Sequence, residues 1–341
     1  MYLLAIGSPT HPIPGTDWNV WTSGYNWSQP IPSVPPYVTF PPLFGHQYSH
    51  CWIDFRQMND AYMRNKGITY FENSRRATLA QIQYARTMGV NHQIVPTFAY
   101  YNRGYSDSLW GFTASDEPST PPVLGYNFNG YQAHGAPHGG STETGTITPT
   151  APISSYPFAP DSTWPCIRNL YTNWKIAPVW GKYGFTDAFN PVLNPWVGPH
   201  VLGIDQGPIV LMLENARNDM IWARFMKNPD VQRGLTLAGF LPVTAGFEDS
   251  QPRTGPAVFL GASPNPFRGS TTLRYRLPSA AHVRLSVFDV MGRQVATLVD
   301  DDRAAGEHSI SMDARHLAAG IYLYRLESNG TILHSKAILL Q

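Results

Sequence analysis

The stretch Gln206-Gly207-Pro208-Ile209-Val210-Leu211-Met212-Leu213-Glu214-Asn215-Ala216-Arg217-Asn218-Asp219-Met220-Ile221-Trp222-Ala223-Arg224-Phe225-Met226-Lys227 decides how the larger, N-terminal part of the chain is built. Ile209, Met212, Leu213, Ala216, Met220 and Ala223 recur at i, i+3, i+4 and i+7, which predicts one helix over 206–227. Val210, Leu211, Trp222 and Phe225 make its other faces apolar too, so the helix is expected to be buried among other helices. Working outward, further helices are predicted at 46–64, 70–88, 161–175 and 229–238. The second has Asn73 and Ser74 near its start and Gly89 after its end. The third opens at Asp161 or Ser162 with Pro165 in its first turn, and the last is ended by Gly239. Long Pro/Gly/aromatic segments at 1–45 and 91–157 join them. Loops of that length inside a helical domain are usually binding loops.

Past Val258 the period changes to two. Thr272-Leu273-Arg274-Tyr275-Arg276-Leu277, Val283-Arg284-Leu285-Ser286-Val287-Phe288 and Gly320-Ile321-Tyr322-Leu323-Tyr324-Arg325-Leu326 alternate apolar and polar, with turn signals at Gly292, Gly306 and Asn329-Gly330. About seven short strands predict an antiparallel β-sandwich. Composition breaks at the same place. Residues 258–341 hold only six aromatics (Phe259, Phe267, Tyr275, Phe288, Tyr322, Tyr324) and none of the ten Trp. The expected organisation is therefore a helical domain at 1–247, a polar linker at 248–257 and a β-sandwich at 258–341.

The 341 residues carry 24 Lys and Arg against 23 Asp and Glu, which removes any electrostatic case for nucleic acid or an anionic membrane. Charged residues make up only 14%, against about 25% in soluble domains. The polar surface must come from Asn, Ser, Thr, Gln and Tyr, as suits a protein that handles neutral polar ligands. Apolar runs stay short of a membrane span. Two cysteines, Cys51 and Cys166, permit at most one disulfide. The opening Met1-Tyr2-Leu3-Leu4-Ala5-Ile6 lacks the basic and cleavage regions of a secretory signal and is expected to be the end of a helix.

Two resemblances sharpen this. Pro264-Asn265-Pro266-Phe267, Phe288-Asp289-Val290-Met291-Gly292-Arg293, Gly320-Ile321-Tyr322 and Lys336 make residues 258–341 similar to the C-terminal sorting domains of the type IX secretion system of Gram-negative bacteria. The resemblance implies export to the cell surface or outside, with the secretion machinery as partner; a generic fibronectin-like spacer is the alternative. Residues 2–240 resemble the glucoamylase-like bacterial family that includes β-1,2-glucan hydrolases. The matching runs are Leu4-Ala5-Ile6-Gly7-Ser8-Pro9-Thr10-His11-Pro12, Phe44-Gly45-His46-Gln47-Tyr48-Ser49-His50, Trp52-Ile53-Asp54-Phe55-Arg56 and Tyr70-Phe71-Glu72-Asn73-Ser74-Arg75. Gly111-Phe112-Thr113-Ala114-Ser115-Asp116, Gly184-Phe185-Thr186-Asp187-Ala188-Phe189-Asn190 and Gly203-Ile204-Asp205-Gln206-Gly207-Pro208 continue them in order. This implies an all-α (α/α)6 toroid and hydrolysis of β-linked glucose chains, with no cofactor or metal. In the family the first of these runs lies well inside the domain. The resemblance therefore implies that only the C-terminal part of the toroid is present, with the general acid upstream of Met1.

Glycoside hydrolysis takes one carboxyl that donates a proton and one that is ionised. Asp205 is the candidate for the ionised partner. At the N-cap of the 206–227 helix, free N–H groups and the dipole would lower its pKa; a purely capping role is the alternative. Asp116, in a loop beside Trp110, is a candidate for sugar hydroxyls, or else an Asx turn before Pro118. Glu117 stands where the family usually has Gly. His46, His50 and Asp54 fall at i, i+4, i+8, one helical face that could contact glucose or, less in keeping with the family, hold a metal; packing is the bland alternative. Arg56, Arg75 and Glu72 are expected in ion pairs, with Arg56 also a candidate sugar contact, as is Gln206. Trp110 and the loop residues Trp18, Trp21, Tyr25, Trp27, Trp180 and Trp196 are candidate stacking rings or core. The expected function is an exported β-glucan hydrolase, inverting and directed at β-1,2 linkages. The alternatives are a non-catalytic glycan-binding protein and an inactive fragment.

Overall fold

The computed structural model describes residues 1–91, 105–118, 128–133, 135–136, 145–191, 196–243, 257–277 and 279–340. The chain divides into two compact units, Met1–Phe247 and Glu248–Gln341.

Among its described residues the first unit has nine helices: α1 (Tyr2–Ile6), α2 (Asp17–Ser23), α3 (Ala61–Lys66), α4 (Tyr70–Asn91), α5 (Thr150–Ser154), α6 (Pro160–Asn173), α7 (Gly203–Asn218), α8 (Met220–Phe225) and α9 (Pro229–Leu237). Short two-residue strands and single 3-10 turns fill the connections. The long helix α4 buries Ala77, Ala80, Ile82 and Ala85 in the largest core cluster, beside Trp110, Phe112, Ile147, Leu170 and Phe189. Gln81 lies on the same face, 1% exposed. Its amide Nε2 donates to Phe112 O at 2.7 Å and its Oε1 accepts Phe112 N–H at 3.3 Å. Such two-way pairing satisfies a buried amide and fixes the segment it holds. Leu43 N–H also donates to Phe112 O, and Phe44 N–H donates to Thr113 Oγ1. The run from Trp110 to Pro118 is thereby pinned from two sides. A second core cluster sets α1 against α9 through glycines. A Cβ on Gly7 would come 1.9 Å from Asp230 O, and one on Gly234 would come 2.0 Å from Leu3 O.

Helix predictions fare unevenly. The expected helix at 46–64 is instead two 3-10 turns, Leu43–His46 and Ser49–Cys51, then the strand Met58–Asn59 and α3. Tertiary bonds outcompete the helix there. Gln47 Nε2 donates to Ala151 O and Ser155 Oγ, both at 2.8 Å, and Asp54 Oδ1 takes Arg56 N–H in a turn. The expected single helix over 206–227 breaks at Asp219, which is left-handed at φ 58°. Asp219 Oδ1 pairs with Arg56 Nη1 at 3.0 Å, and Asn215 Oδ1 receives the N–H of Trp222 at 3.0 Å, so α8 restarts with its own support. Nor is α7 buried all round: Asp205, Pro208, Met212 and Asn215 form one buried stripe, while Val210 is 64% exposed. Pro165 lies inside α6, past its first turn. No helix among the described residues is long and apolar enough to cross a membrane. Cys51 and Cys166 are both free and buried.

Among its described residues the second unit is a two-sheet antiparallel sandwich of seven strands: β1 (Val258–Ser263), β2 (Ser270–Leu277), β3 (Ala281–Phe288), β4 (Gln294–Arg303), β5 (Gly306–Asp313), β6 (Gly320–Ser328) and β7 (Thr331–Leu339). One sheet runs β1-β2-β5, the other β4-β3-β6-β7. The period-two pattern is realised directly: Leu273, Tyr275, Leu277, Val283, Leu285, Val287, Tyr324 and Leu326 all point into one core.

Candidate active site

Three carboxylates meet at the head of α7. Asp205 lies in its first turn, at the start of the buried stripe, and Thr150 Oγ1 on α5 donates to its backbone carbonyl at 3.0 Å. Asp187 arrives on the segment before the strand Phe189–Asn190. That segment is tied down by Asp187 N–H on His200 O at 2.8 Å and Thr186 Oγ1 on Gly198 O at 2.6 Å. Asp116 sits in the strand Ser115–Pro118, directly opposite Tyr131 of Phe128–Gln132. Its backbone N–H donates to Asp187 Oδ2, and its own Oδ2 meets His200 Nδ1 at 2.8 Å. Gly198 makes room for this: a Cβ there would press to 3.2 Å from Asp116 Cβ and 3.1 Å from Ala188 O. Asp187 Oδ1 and Asp205 Oδ2 are both buried, with no hydrogen-bond partner among the described residues.

All three carboxylates are nearly out of solvent, Asp116 and Asp187 at 1% and Asp205 at 3%. Tyr131 is 45% exposed and the His200 side chain 49%, so these form the solvent-facing rim. Burial, the neighbouring Asp205 carboxyl and the negative charge of Asp116 push Asp187 up to about 9. Burial and the charge of Asp116 push Asp205 up to about 6, against the lowering effect of the neighbouring Asp187. The same charges reach the tyrosines. Burial, then Asp205, Cys51 and Asp187, lift Tyr48 to about 12, and Tyr131 is raised by burial and all three carboxylates. Tyr48 Oη donates to Ile204 O at 3.2 Å, next to Asp205. Buried carboxyls whose affinity for protons is raised, beneath a polar rim, can hold one carboxylate ionised and unusually basic.

Of the residues expected from sequence, Asp205 and Asp116 come together here. The expected N-cap geometry of Asp205 is not seen: Leu202 is the cap and no side chain caps the helix. Its pKa moves up rather than down, because burial outweighs the helix terminus. Gln206 braces the site from behind, its Nε2 donating to Phe185 O at 2.9 Å on the segment that carries Asp187. Glu117 points the other way, its Oε2 accepting from Thr146 Oγ1 at 3.1 Å. Asp54 and Arg56 form an ion pair at 2.6 Å that extends to Asp219, with the guanidinium 4.3 Å over the Trp222 ring. Glu72 pairs with Arg76 and Arg75.

His46, His50 and Trp110 require correction. The shared helical face proposed for His46, His50 and Asp54 does not exist, since the segment is not one helix. His46 and His50 are 6% and 4% exposed, bonded to Asn73 and Ser74 of α4. Among the described residues no group of three His, Cys, Asp or Glu side chains could hold a metal ion. Trp110 is wholly enclosed in the core and has no ring face to offer a sugar. Trp18 and Trp196 are buried too, whereas Trp27 and Trp180 stand beneath Lys66 and Lys175. Sequence reasoning gave no role to Asp187 or His200. Asp187 lay within a quoted run but carried no local signal, because its partners are remote in the chain.

Comparison with known proteins follows the same division. A family model described as "Putative glucoamylase" matches residues 1–229, and one described as "Secretion system C-terminal sorting domain" matches residues 262–340. An exo beta-1,2-glucooligosaccharide sophorohydrolase (non-reducing end) of Parabacteroides distasonis is 34% identical over 194 residues, 57% of this chain and 23% of the relative. The crystal structure of a "putative glucoamylase" from Bacteroides fragilis superposes with TM-score 0.58 at 31% identity, over 71% of this chain and 53% of that one. An endo-beta-1,2-glucanase from Chitinophaga pinensis, solved with sophorotriose and glucose, gives TM-score 0.57 at 30% identity, over 70% and 53%. The chain thus spans about half the length of these solved structures and about a quarter of the curated relative.

Proposed function

The chain belongs, through residues 1–229, to the glucoamylase-like family, and from that premise we propose that it hydrolyses β-1,2-linked glucans with Asp205 as the base that activates water. The observation that carries this is the buried Asp187–Asp205 pair at the head of α7. A general base works best when its pKa lies near the working pH. Raised to about 6, Asp205 is ionised at neutral pH yet more basic than an ordinary aspartate. Asp187 is not the leaving-group acid in this scheme. Acid and base carboxyls stand roughly 5–9.5 Å apart across the bond they cleave, and Asp187, its Oδ2 held by the Asp116 N–H, is read as part of the base's surroundings. His200 and Tyr131, on the rim, are placed to meet sugar hydroxyls, with Asp116 orienting His200. Water activation by such a base implies inversion at the anomeric carbon, and the helices α1–α9 are read as part of an (α/α)6 toroid. The sorting domain implies export through the type IX system.

Release of reducing ends from β-1,2-glucan, with β-1,3- and β-1,4-glucans alongside, tests the proposal. Release from the β-1,2 polymer supports it. Oligosaccharide affinity without any release would favour glycan binding alone, a reading that the half-length coverage of the solved relatives keeps in view.

A further inference from the structure

The rings of Phe40, Phe44 and Tyr48 form a row that reaches from the protein surface to the start of α7 and takes no part in the chemistry proposed for Asp205. Ring centroids of Phe40 and Phe44 stand 5.7 Å apart, and those of Phe44 and Tyr48 5.3 Å apart. At the inner end Tyr48 Oη donates to Ile204 O at 3.2 Å, on the residue before Asp205. At the outer end Phe40 is 47% exposed. A lone exposed phenylalanine needs no explanation; one held rigid beside a site does. Phe40 precedes Pro41 and Pro42, and a following proline restricts its backbone to an extended form. Its ring lies on Gly45, where a Cβ would stand 2.3 Å from Phe40 Cδ1 and 2.6 Å from Cε1. The turns that carry Phe44 and Tyr48 are fastened to both segments that hold the carboxylates. Leu43 N–H on Phe112 O and Phe44 N–H on Thr113 Oγ1, both at 3.1 Å, tie them to the run that carries Asp116. Gln47 ties them to α5 through Ala151 O and Ser155 Oγ, and Thr150 of α5 holds Asp205 O.

We propose that Phe40, Phe44 and Tyr48 are a binding track for a β-linked glucan, on which successive pyranose rings rest their C–H faces as the chain leaves the carboxylates. The track rests on the glucan reading of the site and adds the path of the chain beyond it. A pyranose presents an apolar face of C–H groups and a rim of hydroxyls, so it suits an aromatic ring open to water. Rings spaced on the scale of one sugar unit can hold neighbouring residues of the chain together. A platform fixed before binding loses little freedom when the sugar arrives, which is what the prolines, Gly45 and the backbone bonds provide. The stacking role expected of Trp110, which the core encloses, falls to these rings.

Dissociation constants for a β-1,2-linked trisaccharide and hexasaccharide, measured by calorimetry on the full chain carrying Asp205→Asn, test the track. The hexasaccharide should bind more tightly, and Phe40→Ala should lower that preference about fivefold. Gly45→Ala, which pushes the Phe40 ring aside without removing it, should do the same, and Phe40→Tyr should keep the preference. No affinity for either sugar, no preference before Phe40 is changed, an unchanged ratio in both alanine variants, or equal weakening of both sugars would overturn the track. A Phe40→Ala chain that keeps the ratio but passes from dimer to monomer would assign the ring to a contact between copies instead. Failure of the hydrolase reading looks different. No reducing ends released by the parent, with the preference still lost in Phe40→Ala, would remove hydrolysis and leave the track standing.

Discussion

At the scale of single residues, burial sets the protonation of two histidines in the first unit. His46 and His50 are held neutral by desolvation, with values near 4 and 3, and the proximity of His46 lowers His50 further. Both lie below the ordinary histidine value of 6.5, so the unfolded chain binds protons more readily than the folded one. Their contribution to stability is complete above that value and is lost as pH falls from there toward the folded-state values. The melting temperature of the first unit should therefore drop more steeply between neutral pH and pH 4 in the parent than in His50→Gln; equal slopes would refute the buried-neutral assignment. Asp205 teaches the complementary lesson. Its place at a helix start is legible in sequence, and a helix start alone lowers a carboxyl. The raised value comes from burial and from the charge of Asp116, eighty-nine positions away, which no local pattern brings beside it.

At the scale of elements, the strands were legible and part of the helical unit was not, for one physical reason. In the sandwich, alternation is set by a single buried face, so Leu273, Tyr275 and Leu277 declare the fold themselves. Between Leu43 and Asp60, remote bonds override helical spacing: the buried Gln47 amide donates to Ala151 O, the His50 ring meets Ser74 Oγ, and His50 O accepts the Trp222 indole N–H. In α7, apolar residues on the outer faces suggest burial all round that the fold does not provide. The quoted motifs of the sorting domain acquire structural reasons. Asp289 Oδ1 receives the N–H groups of Met291 and Arg293 and closes the β3–β4 hairpin. Asn265 and Phe267 cover the free edge of β7. Asn265 Oδ1 accepts Ile338 N–H at 2.9 Å, its Nδ2 donates to Lys336 O at 3.3 Å, and Phe267 exchanges two backbone bonds with Ile338 and Leu340. Capping an edge this way removes a template for aggregation. Asn265→Ala should cost about 1 kcal/mol and lower the melting temperature of the second unit by about 5 °C, followed by calorimetry of the full chain. An unchanged transition would show that the side chain holds nothing.

At the scale of the whole molecule, the two units carry separable tasks. The first presents a carboxylate pair, and the second matches a secretion sorting domain. Deleting residues 257–341 should leave the protein in the cell fraction, whereas the full chain appears at the surface or in the medium; equal export of both would remove the sorting role. The central claim concerns the first task, and kcat/KM on a β-1,2-glucooligosaccharide for the parent and Asp205→Asn tests it most directly. A loss of about 10²–10⁴-fold in reducing-end release, with the melting temperature of the first unit retained, is the predicted result for a missing general base. An Asp205→Asn protein that releases reducing ends at the parent's rate would contradict it.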